Sequence, residues 1–164
     1  MAYISALTAE APLNLAILER DSEVIGRLCI GHDPEEATVY SAFVSLAEVP
    51  GQPAAHRELR FCVVEATPDG EDFRFSGTAT RRYLKGDERR RVLGCIAEIA
   101  RRLVDHVRPD YITMVTAETD LPQKALEKYG ILCQAIGELG YQWGRGNRFL
   151  GTEIWMMTRT GQGT

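Results

Sequence analysis

Thr80–Ala117, TRRYLKGDERRRVLGCIAEIARRLVDHVRPDYITMVTA, is the stretch that decides the fold. It divides into a loop, a helix and a strand. The loop holds Gly86, with Arg81, Arg82, Lys85, Arg89, Arg90 and Arg91 around it. Val92, Cys95, Ile96, Ile99, Leu103 and Val107 then recur at helical spacing and make one apolar stripe. Pro109-Asp110 breaks that helix, and Tyr111 to Val115 is a short apolar run of the kind that forms a buried strand. Gly86 and Asp87 mark the start of the helix, where free backbone N–H groups and the helix dipole favour an anion.

The bulk properties set limits. A chain of 164 residues, 45% hydrophobic and 26% charged, is most simply a single domain with a core of its own. Its net charge of −4 argues against a general polyanion binder, so any phosphate or nucleic-acid contact must be local. Cys29, Cys62, Cys95 and Cys133 lie in apolar segments without a Cys-x-x-Cys pair, as small core residues of a reducing compartment do. Three scattered histidines give no metal site. No apolar run approaches the roughly 18 residues of a membrane span, and the N-terminus lacks a basic leader. The expected location is cytoplasmic, with no membrane contact.

Outside the central stretch, residues 1–78 are expected to be mostly antiparallel strands, over 13–19, 23–30, 37–46, 59–65 and 72–77. Turn signals separate them at Asp21-Ser22, His32 to Glu35 and Thr67 to Gly70. Beyond Ala117, Asp120 is placed to cap a second helix, with Pro122 in its first turn. Ala125, Leu126, Tyr129, Leu132, Cys133, Ile136 and Leu139 form its stripe, closed by Gly140. Strands at Tyr141 and over 151–158 follow, and 160–164 is a tail. The expected fold is α+β: a mixed, mostly antiparallel sheet of about six or seven strands with helices on both faces. Helices near 87–107 and 121–138 should pack on it, and the Tyr111 strand should lie parallel to the strand at Phe73.

Over about Phe73 to Thr158 the chain resembles the coenzyme-binding half of the GNAT N-acetyltransferase superfamily, including divergent GNAT-like proteins of phages and prophages. The residues that carry the resemblance are YLKGDE at Tyr83–Glu88, KALEKYG at Lys124–Gly130 and LGY at Leu139–Tyr141. It implies a GNAT-like fold with 79–159 as the cofactor half. It implies acetyl-CoA as cofactor, with the pyrophosphate on Arg82, Lys85, Gly86, Asp87, Arg89 and Arg90. It also implies that Tyr129 protonates the departing thiolate. The chain departs from the family at Tyr83, where Gln or Arg is usual, and at Glu88, where the family has Gly or Ala and a carboxylate would repel a pyrophosphate.

Two functions follow. One is an acyl-CoA-dependent N-acyltransferase that moves an acetyl group to a small-molecule or peptide amine. The other is a non-catalytic GNAT-like binding or structural module with a lost or weakened coenzyme A site. The arginine cluster fits a solvated helix face as well as a phosphate site, Tyr129 fits a core position as well as a proton donor, and Asp87 fits an N-cap. Glu65, at a strand end, is the candidate general base. The lack of aromatic interleaving beyond Tyr83 argues against nucleic acid.

Overall fold

The computed structural model describes residues 2–8, 13, 15–75 and 77–161. The expected strand over 13–19 and strand over 72–77 each include one residue outside that set, Asn14 and Ser76, and the last three residues of the tail also lie outside it. In chain order the elements are β1 (Ile4–Ser5), β2 (Ala16–Arg20), β3 (Glu23–Asp33), β4 (Thr38–Glu48), β5 (His56–Thr67) and β6 (Gly70–Arg74). Then come α1 (Gly77–Thr80), α2 (Gly86–Val107), β7 (Tyr111–Val115), α3 (Gln123–Gly137), β8 (Tyr141–Arg145) and β9 (Ile154–Arg159).

The architecture is α+β, built on one open, mostly antiparallel sheet. The sheet has nine strands among the described residues, more than the six or seven expected. Seven follow one path, β1-β3-β4-β5-β7-β9-β8; β2 adds to β3, and β6 adds to β5. The excess comes from short additions at strand edges: β1 pairs only Ile4 and Ser5 with β3. The parallel pair is β5 with β7. The Tyr111 strand therefore runs parallel to β5, and the strand at Phe73 is instead an antiparallel hairpin partner of β5. The turn at Thr67–Gly70 is too tight for β6 to cross to a new position, so it folds straight back on the strand before it.

Both long helices cover the same face of the sheet, against the expectation of helices on both faces. Gly26, Val44 and Phe61 sit side by side on β3, β4 and β5. At one end of that row, a Cβ on Gly26 would lie 2.4 Å from Ile99 of α2. At the other end, Phe61 meets Tyr129 of α3 with ring centroids 5.3 Å apart. The strand order supplies the reason. The crossovers β5-α2-β7 and β7-α3-β8 step in the same direction across the sheet, and two right-handed crossovers of that kind put their helices on one side.

The core lies between this face and the helices. Ile99 and Leu103 of α2, Leu132 and Ile136 of α3, and Ile112 and Met114 of β7 are fully buried. Both stripes read from the sequence point inward. α2 ends at Arg108, whose left-handed backbone (φ 52°) lets its N–H reach the Val104 carbonyl at 2.7 Å, and Pro109 then prevents another turn. Local details differ from expectation. Asp120 does not cap α3: Pro122 holds that position, and Asp120 pairs with Arg148 at 2.7 Å. Cys29 is exposed on the helix-free face, whereas Cys62 and Cys133 are buried.

Candidate functional site

The parallel pair is short. β5 and β7 pair from His56–Tyr111 to Glu58–Thr113 and then separate. Further along the same edge of β5, β6 takes over at Val63. Between those two partners, no strand among the described residues pairs with Leu59 to Cys62 on that edge. A groove of about 960 Å³ opens there, bounded by β5, α1, the first turn of α2 and the near side of α3. A second hollow of about 280 Å³ continues from it past Glu58, Arg60, Val115 and Thr116. Phe61, Phe75, Ala117 and Tyr129 line both, so they form the throat between them.

At one wall stands the start of α2. Lys85 precedes the helix with extended backbone, and no side chain caps it. The first-turn N–H groups therefore have no side-chain partner at the cap, the condition in which a helix start binds anions. Gly86, the first residue, has φ +52°, a conformation that side-chain-bearing residues rarely adopt. A Cβ there would meet no atom within 4 Å, so the space in front of this backbone is open. Arg89 reaches from the first turn toward α1: a Cβ on Gly77 would lie 2.2 Å from its guanidinium nitrogen.

The residues singled out in the sequence separate into groups. Gly86, Arg89, Arg90 and Tyr129 line the groove together, with Arg81 beside them. Asp87 pairs with Arg90 at 3.2 Å on the exposed first turn and is not the N-cap. Lys85 is exposed and lies outside the groove lining. Arg82 turns away to Glu65 at 3.2 Å and its guanidinium lies over the Tyr83 ring. Among the described residues Arg81, Arg89, Lys124 and Lys128 line the groove without a carboxylate within ion-pair distance. Their surplus charge faces the cavity.

Tyr83 and Glu88 have structural work instead. Tyr83 is buried in a ring cluster with Tyr3 and Tyr40, at centroid distances of 5.7 and 4.3 Å. Glu88 accepts hydrogen bonds from the Tyr3 hydroxyl at 3.0 Å and the Ser5 hydroxyl at 2.6 Å, with Arg91 at 3.8 Å. It ties β1 to the first turn of α2.

Glu65 is buried and sits outside the groove lining, with Arg74 at 3.1 Å and Arg82 at 3.2 Å. Burial alone would raise its pKa, but the two guanidiniums beside it hold it below the ordinary value. A carboxylate held so firmly ionised is a poor proton acceptor at neutral pH. Its lowered pKa contributes stability that is present above about 4.5 and is lost as pH falls through the folded value. Glu65→Gln should therefore lower the melting temperature at pH 7, and the gap to wild type should narrow as pH falls below 4.5, the ordinary carboxylate value. Melting curves from pH 7 to pH 3 check this, and a constant gap would sink it.

Tyr129 is at once core residue and groove wall. Its ring stacks on Trp155 at 4.4 Å, nearly parallel, and Phe61 packs beside it. Burial, aided by the Glu118 charge, pushes the phenol up to about 12, so it holds its proton through the physiological range. The smaller hollow holds a carboxylate that the sequence did not single out. Glu58, at the last paired position before β5 and β7 part, sits 3.1 Å from Arg60. A lone Glu between Arg57 and Leu59 carries no local signal; its place depends on where the strands separate. Comparison with family profiles, characterised proteins and solved structures finds no match to this chain.

Proposed function

We propose that the chain is an acyl-CoA-dependent N-acyltransferase of GNAT type, moving an acetyl group to an amine. The observation that carries this reading is the groove between separating parallel strands, with an uncapped helix start and unpaired cations at one end and a protonated tyrosine at its throat. Each part suits one piece of an acyl-CoA. The α2 start and Arg81, Arg89 and Arg90 suit the phosphates. The unpaired edge of β5 offers backbone groups to the amides of the cofactor's arm, as a sheet edge does to an added strand. At the throat, Tyr129 can give its proton to the departing sulfur. An amine acceptor entering through the smaller hollow would meet Glu58, whose negative charge can help hold an ammonium. The rest of catalysis is positioning.

A non-catalytic module is the second reading, and one observation favours it. Glu88 places a carboxylate on the first turn of α2 and is tied into the fold there by Tyr3 and Ser5. Titration of acetyl-CoA in a calorimeter separates the two. Wild type should bind at low salt and more weakly at about 0.5 M salt, because charge near solvent is screened. Glu88→Gln should bind more tightly, since glutamine still accepts from Tyr3 and Ser5 while the repelling charge is gone. Tyr129→Phe should bind as wild type does and turn over about a hundredfold more slowly. No heat from wild type or Glu88→Gln, and no thermal shift with acetyl-CoA, would leave the binding module standing.

A further inference from the structure

The chain has three lysines, Lys85, Lys124 and Lys128, against sixteen arginines. Two of the three, Lys124 and Lys128, line the groove. Lys128 differs from the others in its surroundings. Its ammonium lies over two aromatic rings at the throat, 5.6 Å from the centre of Phe61 and 5.4 Å from that of Tyr129. Among the described residues it has no carboxylate within ion-pair distance. The other charged groups that line the groove are Arg74 from β6, Arg81 beyond α1, Arg89 and Arg90 from α2, Glu118 after β7, and Lys124 and Glu127 from α3. Cations outnumber acids there.

We propose that Lys128 is an acyl acceptor built into the groove: its amine takes the acyl group from an activated donor whose carrier bears phosphate. The choice of donor rests on the reading of the groove given above; the nucleophilicity of the amine does not. The cations at the α2 end hold the carrier, and the throat brings the acyl carbon to Lys128. The neutral Nζ attacks the acyl carbonyl carbon. The bond from that carbon to the thioester sulfur, or to the phosphate oxygen of an acyl phosphate, breaks and its electron pair leaves with the carrier. Tyr129 protonates the departing sulfur and recovers a proton from the new amide nitrogen. The product is an Nε-acyl-lysine, with no change of oxidation state.

Burial of the ammonium, with the Arg89 charge adding and Glu118 opposing, lowers the pKa of Lys128. More neutral amine is thus present at a given pH than on a solvated lysine.

Wild type is incubated at pH 7 with three reagents: neutral N-succinimidyl acetate, acetyl phosphate and acetyl-CoA. Intact mass and peptide mapping then follow each lysine, with Lys85 and Lys124 as internal references. Lys128 should acquire the acetyl group from the neutral reagent faster than either reference lysine, because more of its amine is neutral. It should also be the lysine modified by the anionic donors, and Lys128→Arg should remove the adduct. Transfer from acetyl phosphate without transfer from acetyl-CoA supports the acceptor and rejects the coenzyme reading. Labelling by the neutral reagent alone overturns the anionic-donor proposal. Equal rates at all three lysines overturn the proposal outright.

Discussion

Ile96→Asp or Leu132→Asp leaves the protein unfolded or insoluble, whereas Ile131→Asp leaves it folded. Leu132 is fully buried on α3, and Ile96 is 5% exposed on α2. Each replacement forfeits about 2–3 kcal/mol of apolar burial. It also leaves a gap and puts a carboxylate on the apolar stripe of its helix, which takes the total past about 4–5 kcal/mol. Against a total stability of about 5–15 kcal/mol, that removes most or all of the folding free energy. Ile131 is the neighbour of Leu132 on the same helix but is 44% exposed, so its replacement should cost about 1 kcal/mol or less. Urea unfolding of the three variants measures this. Similar midpoints for Leu132→Asp and Ile131→Asp would show that α3 packs through a different face. Arg101 is not the neutral control that its place on α2 suggests. It is half-buried and bridges Glu98 and Glu138, each at 3.7 Å, so Arg101→Asp sets three acids together.

If the groove takes acetyl-CoA as proposed, Gly86→Val should abolish that binding in the calorimeter and lower stability only modestly. The left-handed backbone at Gly86 costs a β-branched residue about 1–2 kcal/mol, which is the expected loss in stability. The space around the position is open, so no clash adds to it. The effect on a ligand is larger. A valine side chain fills the space through which an anion would approach the first N–H groups of α2, and a loss of at least about 2 kcal/mol, or 30-fold in Kd, should follow. Gly86→Ala has nearly the same backbone penalty and a smaller obstruction, so it should lose less affinity at similar stability. If all three proteins bind alike, the phosphates do not sit at Gly86. If Gly86→Val unfolds, comparison of Gly86→Ala with wild type still decides the point.

These two tests probe different layers of what the chain specifies. Helix α2, strand β7 and helix α3 were legible because their signals are local. A stripe at 3.6-residue spacing needs only its own twenty residues, and Pro109 ends α2 whatever surrounds it. The same spacing correctly identified Leu103, Leu132 and Ile136 as core. The antiparallel meander of β2, β3 and β4 was legible from alternation and from the turns between the strands. The groove wall at Gly86, Arg89, Arg90 and Tyr129 was named from one glycine, one charge run and one helix face.

Other features depend on residues far apart in the chain, and no local pattern carries them. The partner of β7 was misread because a parallel neighbour is chosen by the whole sheet, not by the nearest preceding strand. The placement of both helices on one face follows from strand order, which periodicity does not contain. Glu88 looked like a misplaced acid in a phosphate loop until Tyr3 and Ser5, more than eighty positions away, were found bonded to it. Arg82 and Glu65 each looked available, and each neutralises the other. The local sequence determined which segments are helix and strand and which side of each is apolar, because backbone preference and burial act over one or two turns. Tertiary structure decided where β5 and β7 part and which charges remain unpaired in the opening, because pairing and ion contacts are settled only when distant segments compete for the same partner.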